Sequence, residues 1–416
     1  MEISIKLRVL IPISFQSRLG LVLMAGFIAF GFTISNTDGR TAALWVVGGL
    51  FGFILQRSRL CFASAFRDLF LFGSGHNMKG IIVGLAISSL GFAAVMHWIL
   101  PNTSTPSLPS EAHIFPAGIS VLIGGILFGL GMVLSGGCVS GTLYRIAEGY
   151  VASWITLIGI LIGLSALTLT WNWWWDTVIS NEPTIWLPNL ADGKFGYTGG
   201  LALTLLLLIV VFIAITFVES KTGIFTPKIS KKQSPNLTFA SRIKGSIDLI
   251  FKNGWPITIG GVALGGLGVF AYTIHMPLGV TGELMRISHT AMDVLGVNIP
   301  QLNGLSDLPG CTGLNEGPGL LTHSFAITVG LFFGALIGAL LSGEWRPRIP
   351  KKHITARISQ SLVGGIFMGY AAGLAIGCTI GAFFSAIPSL SLSGWIFGFS
   401  LGLGAYIGTK IIRRIG

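Results

Sequence analysis

Charge is scarce in this sequence. Only 10% of its 416 residues are Asp, Glu, Lys or Arg, where a soluble domain carries about 25%, and that shortfall excludes an ordinary water-soluble globule. No polar stretch is long enough to build a separate soluble domain. Cysteine is also sparse. Cys61, Cys138, Cys311 and Cys378 include no Cys-x-x-Cys, and no His or Cys stands at zinc-finger spacing. A structural metal site is therefore not expected, and no cofactor is implied. His275, His289 and His323 show no catalytic spacing, so the reading is not that of an enzyme. The N-terminus MEISIKLRVL contains Glu2 and lacks a small-residue cleavage site, so it does not read as a cleavable signal.

What the chain has instead is apolar length. Hydrophobic residues make up 52% of it and gather in ten runs near 19–36, 42–56, 80–100, 117–134, 151–171, 198–218, 255–275, 323–342, 360–376 and 393–412. Runs of about 20 residues cross a bilayer as helices. The expected fold is an all-α polytopic membrane protein with nine or ten spans, because 42–56 and 360–376 are short and flow into broken segments. The net charge of +11 does not point to nucleic acid, because it sits in particular loops. Loop 219–253 holds seven Lys or Arg and loop 344–357 holds five, whereas loop 101–115 has none and loop 175–197 only Lys194. Positive loops stay cytoplasmic. The expectation is a multi-pass inner-membrane protein with both termini, 219–253 and 344–357 inside. The tryptophans of WNWWW at 171–175 read as an interfacial anchor.

The chain also repeats itself. GGILFGLGMVLSGGCVSG at 124–141 aligns with GGIFMGYAAGLAIGCTIG at 364–381 at a constant offset of 240, matching Cys138 with Cys378 and Gly141 with Gly381. A weaker match joins LCFASAFRD at 60–68 with GVTGELMRI at 279–287, where Val280 replaces Cys61. This divides the chain into a first half, 1–218, with its repeat at about 42–171, a basic connection at 219–253, and a second half, 254–416. The loop charges give the two copies opposite orientations. Inverted repeats belong to transporters and some channels, with the site between the repeats at mid-membrane.

The repeat concentrates on glycine-rich interruptions. Gly136, Gly137 and Gly141 surround Cys138, and Gly377 and Gly381 surround Cys378. Irregular backbone at membrane depth survives only when buried in protein or lining a cavity. A helix restarting after such a break aims free N–H groups at the bundle centre, where they attract anions. A thiol lining suits a substrate that presents soft sulfur or selenium. Cys61, Cys138 and Cys378 are the candidate path residues, and Cys311 has no repeat partner. Arg57, Arg67 and Arg145 are candidate vestibule charges. The bland alternative pairs Arg67 with Asp68 and Arg145 with Glu148. Two rival readings remain open: a thiol–disulfide relay, for instance between Cys138 and Cys378, and a plain anion channel or scaffold with inert thiols.

LQRSRLCFASAFRDL at 55–69, GGILFGLGMVLSGGCVSGTLYRIAEG at 124–149 and GGIFMGYAAGLAIGCTIGAFFSAIPSLSLSGW at 364–395 together resemble the YeeE/YedE family of bacterial sulfur-compound transporters. The resemblance implies an hourglass-like path with basic hollows on both sides. It implies short re-entrant helices at the waist, and cysteines that meet thiosulfate in turn, here Cys61, Cys138 and Cys378. It also implies uptake across the inner membrane, a branch tied to selenium, and a small cytoplasmic sulfur-carrier protein as partner. Cys311 matches no element of the family, and the connection at 276–322 is poorly matched to it.

Overall fold

A computed structural model describes residues 15–105, 107–222, 254–305, 319, 321–350 and 353–415. The chain forms α1 (Phe15–Ser35), α2 (Gly39–Ser58), α3 (Phe62–Phe72), α4 (His76–Ile99), α5 (Ile119–Ser135), α6 (Val139–Ala147), α7 (Val151–Thr177) and α8 (Gly196–Thr222). It continues with α9 (Ile257–Ile274), α10 (Thr281–Val294), α11 (His323–Leu341), α12 (Ile354–Leu374), a π-helix (Thr379–Ser385) and α13 (Leu392–Ile415). Among the described residues there is no β-strand. Among these residues, nine spans are long and apolar enough to cross a bilayer, and a tenth is the bent pair of α12 and the π-helix, which meet at 49°. The protein is therefore an all-α, multi-pass membrane protein. Most of the connection at 219–253, and Cys311 with it, lies outside the described residues.

Each long helix follows from its run of apolar side chains, and several ends have side-chain caps. The Asp38 carboxylate accepts from the backbone N–H of Arg40 and Thr41 at 3.1 and 3.0 Å and starts α2. The Thr41 hydroxyl and N–H hold that carboxyl down to about 2. Glu182 reaches from a distant loop to the N–H and hydroxyl of Ser120 and so starts α5.

A long–short–long–long–short–long order of elements occurs twice, from α2 to α7 and from α9 to α13. The two sets pack across one another. α2 lies on α11, α4 on α9, α5 on α13 and α7 on α12, while α5 and α12 cross in the middle. α1 and α8 sit outside this core and expose most of their apolar surface, which suits contact with lipid chains. α5 and α12 run antiparallel, since Gly124 lies by Ala371 and Ala375 while Gly131 lies by Gly364.

Helices in lipid gain nothing from burying oil against oil, so close packing must hold them. At the central crossing, a Cβ added to Gly131 would stand 2.6 Å from the Gly364 oxygen, and one added to Gly364 would stand 2.7 Å from the Gly131 oxygen. The backbones touch there because neither residue has a side chain. Gly131→Val should therefore destabilise the protein by about 1–3 kcal/mol through overpacking. Thermal melting in detergent measures this. Gly266→Ala on α9, where a Cβ meets nothing within 4 Å, should leave the melting point unchanged. Equal melting of both variants would rule out a tight crossing.

Candidate functional site

Three helices break in the same way. α2 ends at Arg59 (φ 52°), α5 at Gly136 (φ 80°) and α12 near Ile376 (φ 55°), each in the left-handed region. Two residues later the backbone is extended at Cys61, Cys138 or Cys378, and each cysteine is the N-cap of the short helix that follows. Gly136 adopts this shape freely. Arg59 and Ile376 adopt it at a cost of about 1–3 kcal/mol each, which the surrounding packing must offset. The fourth short helix, α10, starts at Val280 without a left-handed residue before it and without a thiol.

The cysteine carbonyls begin the new helices. They accept from Ala65 N at 2.9 Å, Thr142 N at 2.7 Å and Ala382 N at 2.8 Å. The Cys138 sulfur accepts from Gly141 N at 3.4 Å and meets the Ser140 hydroxyl at 3.5 Å. The Cys61 and Cys138 thiols are neighbours. They converge on Gly141, where an added Cβ would stand 3.2 Å from the Cys138 sulfur and 3.6 Å from the Cys61 sulfur. Thr379, next to Cys378, approaches the Cys138 thiol from the second half, although its hydroxyl completes no well-aligned hydrogen bond. All three cysteines are free thiols and buried. Gly377 lies close to the π-helix, with its added Cβ 2.8 Å from Ala382 N. The Gly381 carbonyl is met by His113 Nδ1 at 3.1 Å.

A hollow of about 650 Å³ leads to the break at Gly136. Arg145, Arg348, Arg357, His353, Tyr150 and Gln360 line it, and among the described residues its lining includes no carboxylate. Its inner end is the last turn of α5. There Arg357 donates to the Ser135 and Leu134 carbonyls at 2.9 and 3.3 Å, and Arg145 donates to the Gly136 carbonyl. Two cations thus cap the negative end of α5 and keep N–H groups over for an anion. Gly137 lies beside Arg145, whose Nη1 would make ordinary contact, at 3.5 Å, with a Cβ added there.

The expected vestibule charges divide. Arg145 lines the hollow. Arg67 is paired with Asp68 at 2.9 Å, yet lies near enough to Arg357 for the two cations to repel. Arg57 lies elsewhere, 1% exposed and 3.8 Å from Glu344. The local pair of Arg145 with Glu148 does not form. Glu148 faces Gln56 at 3.3 Å and Arg348 at 3.8 Å instead. Arg348, Arg357, His113 and Thr379 were not legible as site residues. The first two look like ordinary topology charges, and the others join the site only through long-range packing. Among the described residues, no group of three His, Cys, Asp or Glu could hold a metal ion.

Comparison with known proteins gives this geometry a setting. A family described as sulphur transport matches residues 57–407. A probable transporter, YedE, of Salmonella typhimurium is 35% identical over 192 residues, 46% of this chain and 44% of that protein. The match thus spans less than half of that relative's length. The thiosulfate transporter TsuA of Spirochaeta thermophila is 28% identical over 381 residues, covering 89% of this chain and 98% of that protein. TsuA of Escherichia coli is 25% identical over 351 residues, covering 84% and 88%.

Burial holds the His113 imidazole neutral, pulling it down to about 4. A histidine whose folded value lies below its usual value of about 6.5 stabilises the fold above that pH and loses this as pH falls towards 4. Across that window the loss should approach about 3 kcal/mol. Melting temperature against pH measures it. His113→Asn keeps a donor for Gly381 but cannot titrate, so its profile should be flatter. Identical profiles would remove His113 as the cause.

Proposed function

The chain belongs to the sulphur-transport family, and from that premise we propose that it takes thiosulfate across the bacterial inner membrane past Cys61, Cys138 and Cys378. That it is a transporter rather than an enzyme follows from its family and its named relatives. The substrate comes from chemistry. One observation carries the reading: three buried thiols occupy the same position in three helix breaks. A thiol is a weak donor with a polarisable sulfur, and thiosulfate presents a terminal sulfur of the same softness.

The two halves are inverted copies, and the site lies where they cross. Their repeated order of elements and the antiparallel α5 and α12 support this. The ion enters from the side opposite the basic hollow and reaches the break at Cys138, and the positive field of the hollow draws it onward. Free N–H groups at the starts of α3 and α6 hold its oxygens, and the thiols meet its terminal sulfur. Cys61 and Cys138 act together because both stand beside Gly141, and Cys378 lies beyond Thr379. Modest binding at each station lets the ion leave. Loop 344–357 borders the hollow, so by charge bias the hollow is cytoplasmic, as are the termini. A small sulfur-carrier protein would receive the ion on that side. Two negative charges entering against an inside-negative potential cost about 4.6 kcal/mol per 100 mV, so consumption inside or a companion cation must draw them in. A selenium analogue of the same shape would fit the same thiols, and growth on each compound separates the two.

A bacterium without its own sulfate and thiosulfate uptake should grow on thiosulfate when it expresses this protein. A thiol contact worth about 1 kcal/mol predicts roughly a fivefold fall in uptake for each of Cys61→Ala, Cys138→Ala and Cys378→Ala. Radiolabelled uptake at matched expression measures this. Full uptake by all three variants would reduce the thiols to packing.

A further inference from the structure

The four short helices differ in the residue that follows the N-cap. In the first half it is apolar, Phe62 after Cys61 and Val139 after Cys138. In the second half it is a threonine, Thr281 after Val280 and Thr379 after Cys378. The repeat aligns Phe62 with Thr281 and Val139 with Thr379, so a hydroxyl replaces an apolar side chain at both equivalent positions.

Both threonines are buried, Thr281 at 2% exposure and Thr379 at 0%, and neither hydroxyl has a hydrogen-bond partner among the described residues. Their position is the cause. A threonine inside a helix returns its hydroxyl to the carbonyl four residues earlier, as Thr142 does to Cys138 at 2.9 Å and Thr168 to Leu164 at 3.0 Å. At the first position after a break, that carbonyl belongs to the preceding segment and is out of line. A buried polar group without a partner destabilises the fold. Valine has the same shape without that defect, and the first half uses it at Val139. For packing alone, threonine at position 379 is the poorer residue.

The surroundings of Thr379 show what its hydroxyl is for. It approaches the Cys138 thiol from the second half. The Ser140 hydroxyl is 3.5 Å from the same sulfur, and the Cys61 sulfur stands beside the same glycine, Gly141. All of these side chains are buried. The two short helices start beside one another here and run to opposite ends of the bundle. α6 leads to Gly149, bonded to Arg348, and the π-helix leads to Leu390, bonded to Leu187.

We propose that the waist grips the anion by two unlike atoms at once, with the Thr379 hydroxyl donating to an oxygen and the Cys138 thiol to the terminal sulfur. This rests on the reading of the chain as a thiosulfate transporter and adds a binding residue from the second half. The terminal sulfur and the oxygens of thiosulfate are bonded to one central atom, so two donors side by side can hold one of each. The hydroxyl suits the hard oxygen, and the weaker, polarisable thiol suits the soft sulfur. The ion is thereby turned with its sulfur towards the first half. It also supplies the acceptor that the fold itself does not give Thr379.

The test is radiolabelled thiosulfate uptake by the full chain in proteoliposomes, with melting of each variant followed in detergent. Thr379→Val keeps the shape and removes the donor. It should melt no lower than the wild type, since no hydrogen bond within the protein is lost. Its KM for thiosulfate should rise roughly tenfold, the loss of one hydrogen bond to an anion. Thr379→Ser keeps the donor and should stay near the wild-type KM. Added thiosulfate should raise the melting point of the wild type and the serine variant more than that of the valine variant. Thr379→Ala takes the place of a valine variant that fails to insert. An unchanged KM without the hydroxyl, or an equal rise with valine and with serine, would overturn the proposal and leave the transport reading standing. No uptake by the wild type would overturn both.

Discussion

A backbone N–H or C=O abandoned by its own helix inside a bilayer has no water to turn to. The chain accepts that difficulty at three places, and much of its architecture is the set of partners gathered to resolve it. Arg145 and Arg357 take the carbonyls left at the end of α5. His113 meets a carbonyl inside the π-helix. The cysteine carbonyls take the first N–H groups of the restarting helices. The arginines that solve the backbone problem at α5 also give the adjoining hollow its positive field, so one arrangement serves stability and anion attraction together.

The breaks also need walls. Each set of elements supplies long helices that pack on the other set, and the backbones meet closely where glycines such as Gly131 and Gly364 cross. A looser bundle would let lipid reach the interrupted turns. α1 and α8 add little to this enclosure, which fits a core made of the repeated elements with two helices laid against it.

Much of this was legible in the sequence, and the limits are physical. Apolar length gave the ten long helices, and the constant offset between Cys138 and Cys378 located two breaks. The break at Cys61 could be read only as the end of an apolar run. Which arginine serves which purpose could not be read, because that depends on contacts between distant parts of the chain. Arg57 and Arg145 look alike beside their motifs, yet one is sealed against Glu344 and the other lines the hollow. Arg357 lies more than 200 residues from the carbonyls it caps. Nor does a local pattern separate the α-helix after Cys138 from the π-helix after Cys378, since both follow Gly-Cys-x-x-Gly. Likewise, Cys138 meets Cys61, which no repeat symmetry pairs with it.

Of the three left-handed turns, only one is made by glycine. Arg59 and Ile376 hold a shape that their own chemistry resists, so the surrounding packing must offset its cost. The waist is therefore not a module. A segment such as 55–72 carried into another protein would relax toward a continuous helix, and its cysteine would no longer begin one. It follows that the two sets of elements cannot be altered independently. A change in one is felt as a change in the backbone of the other.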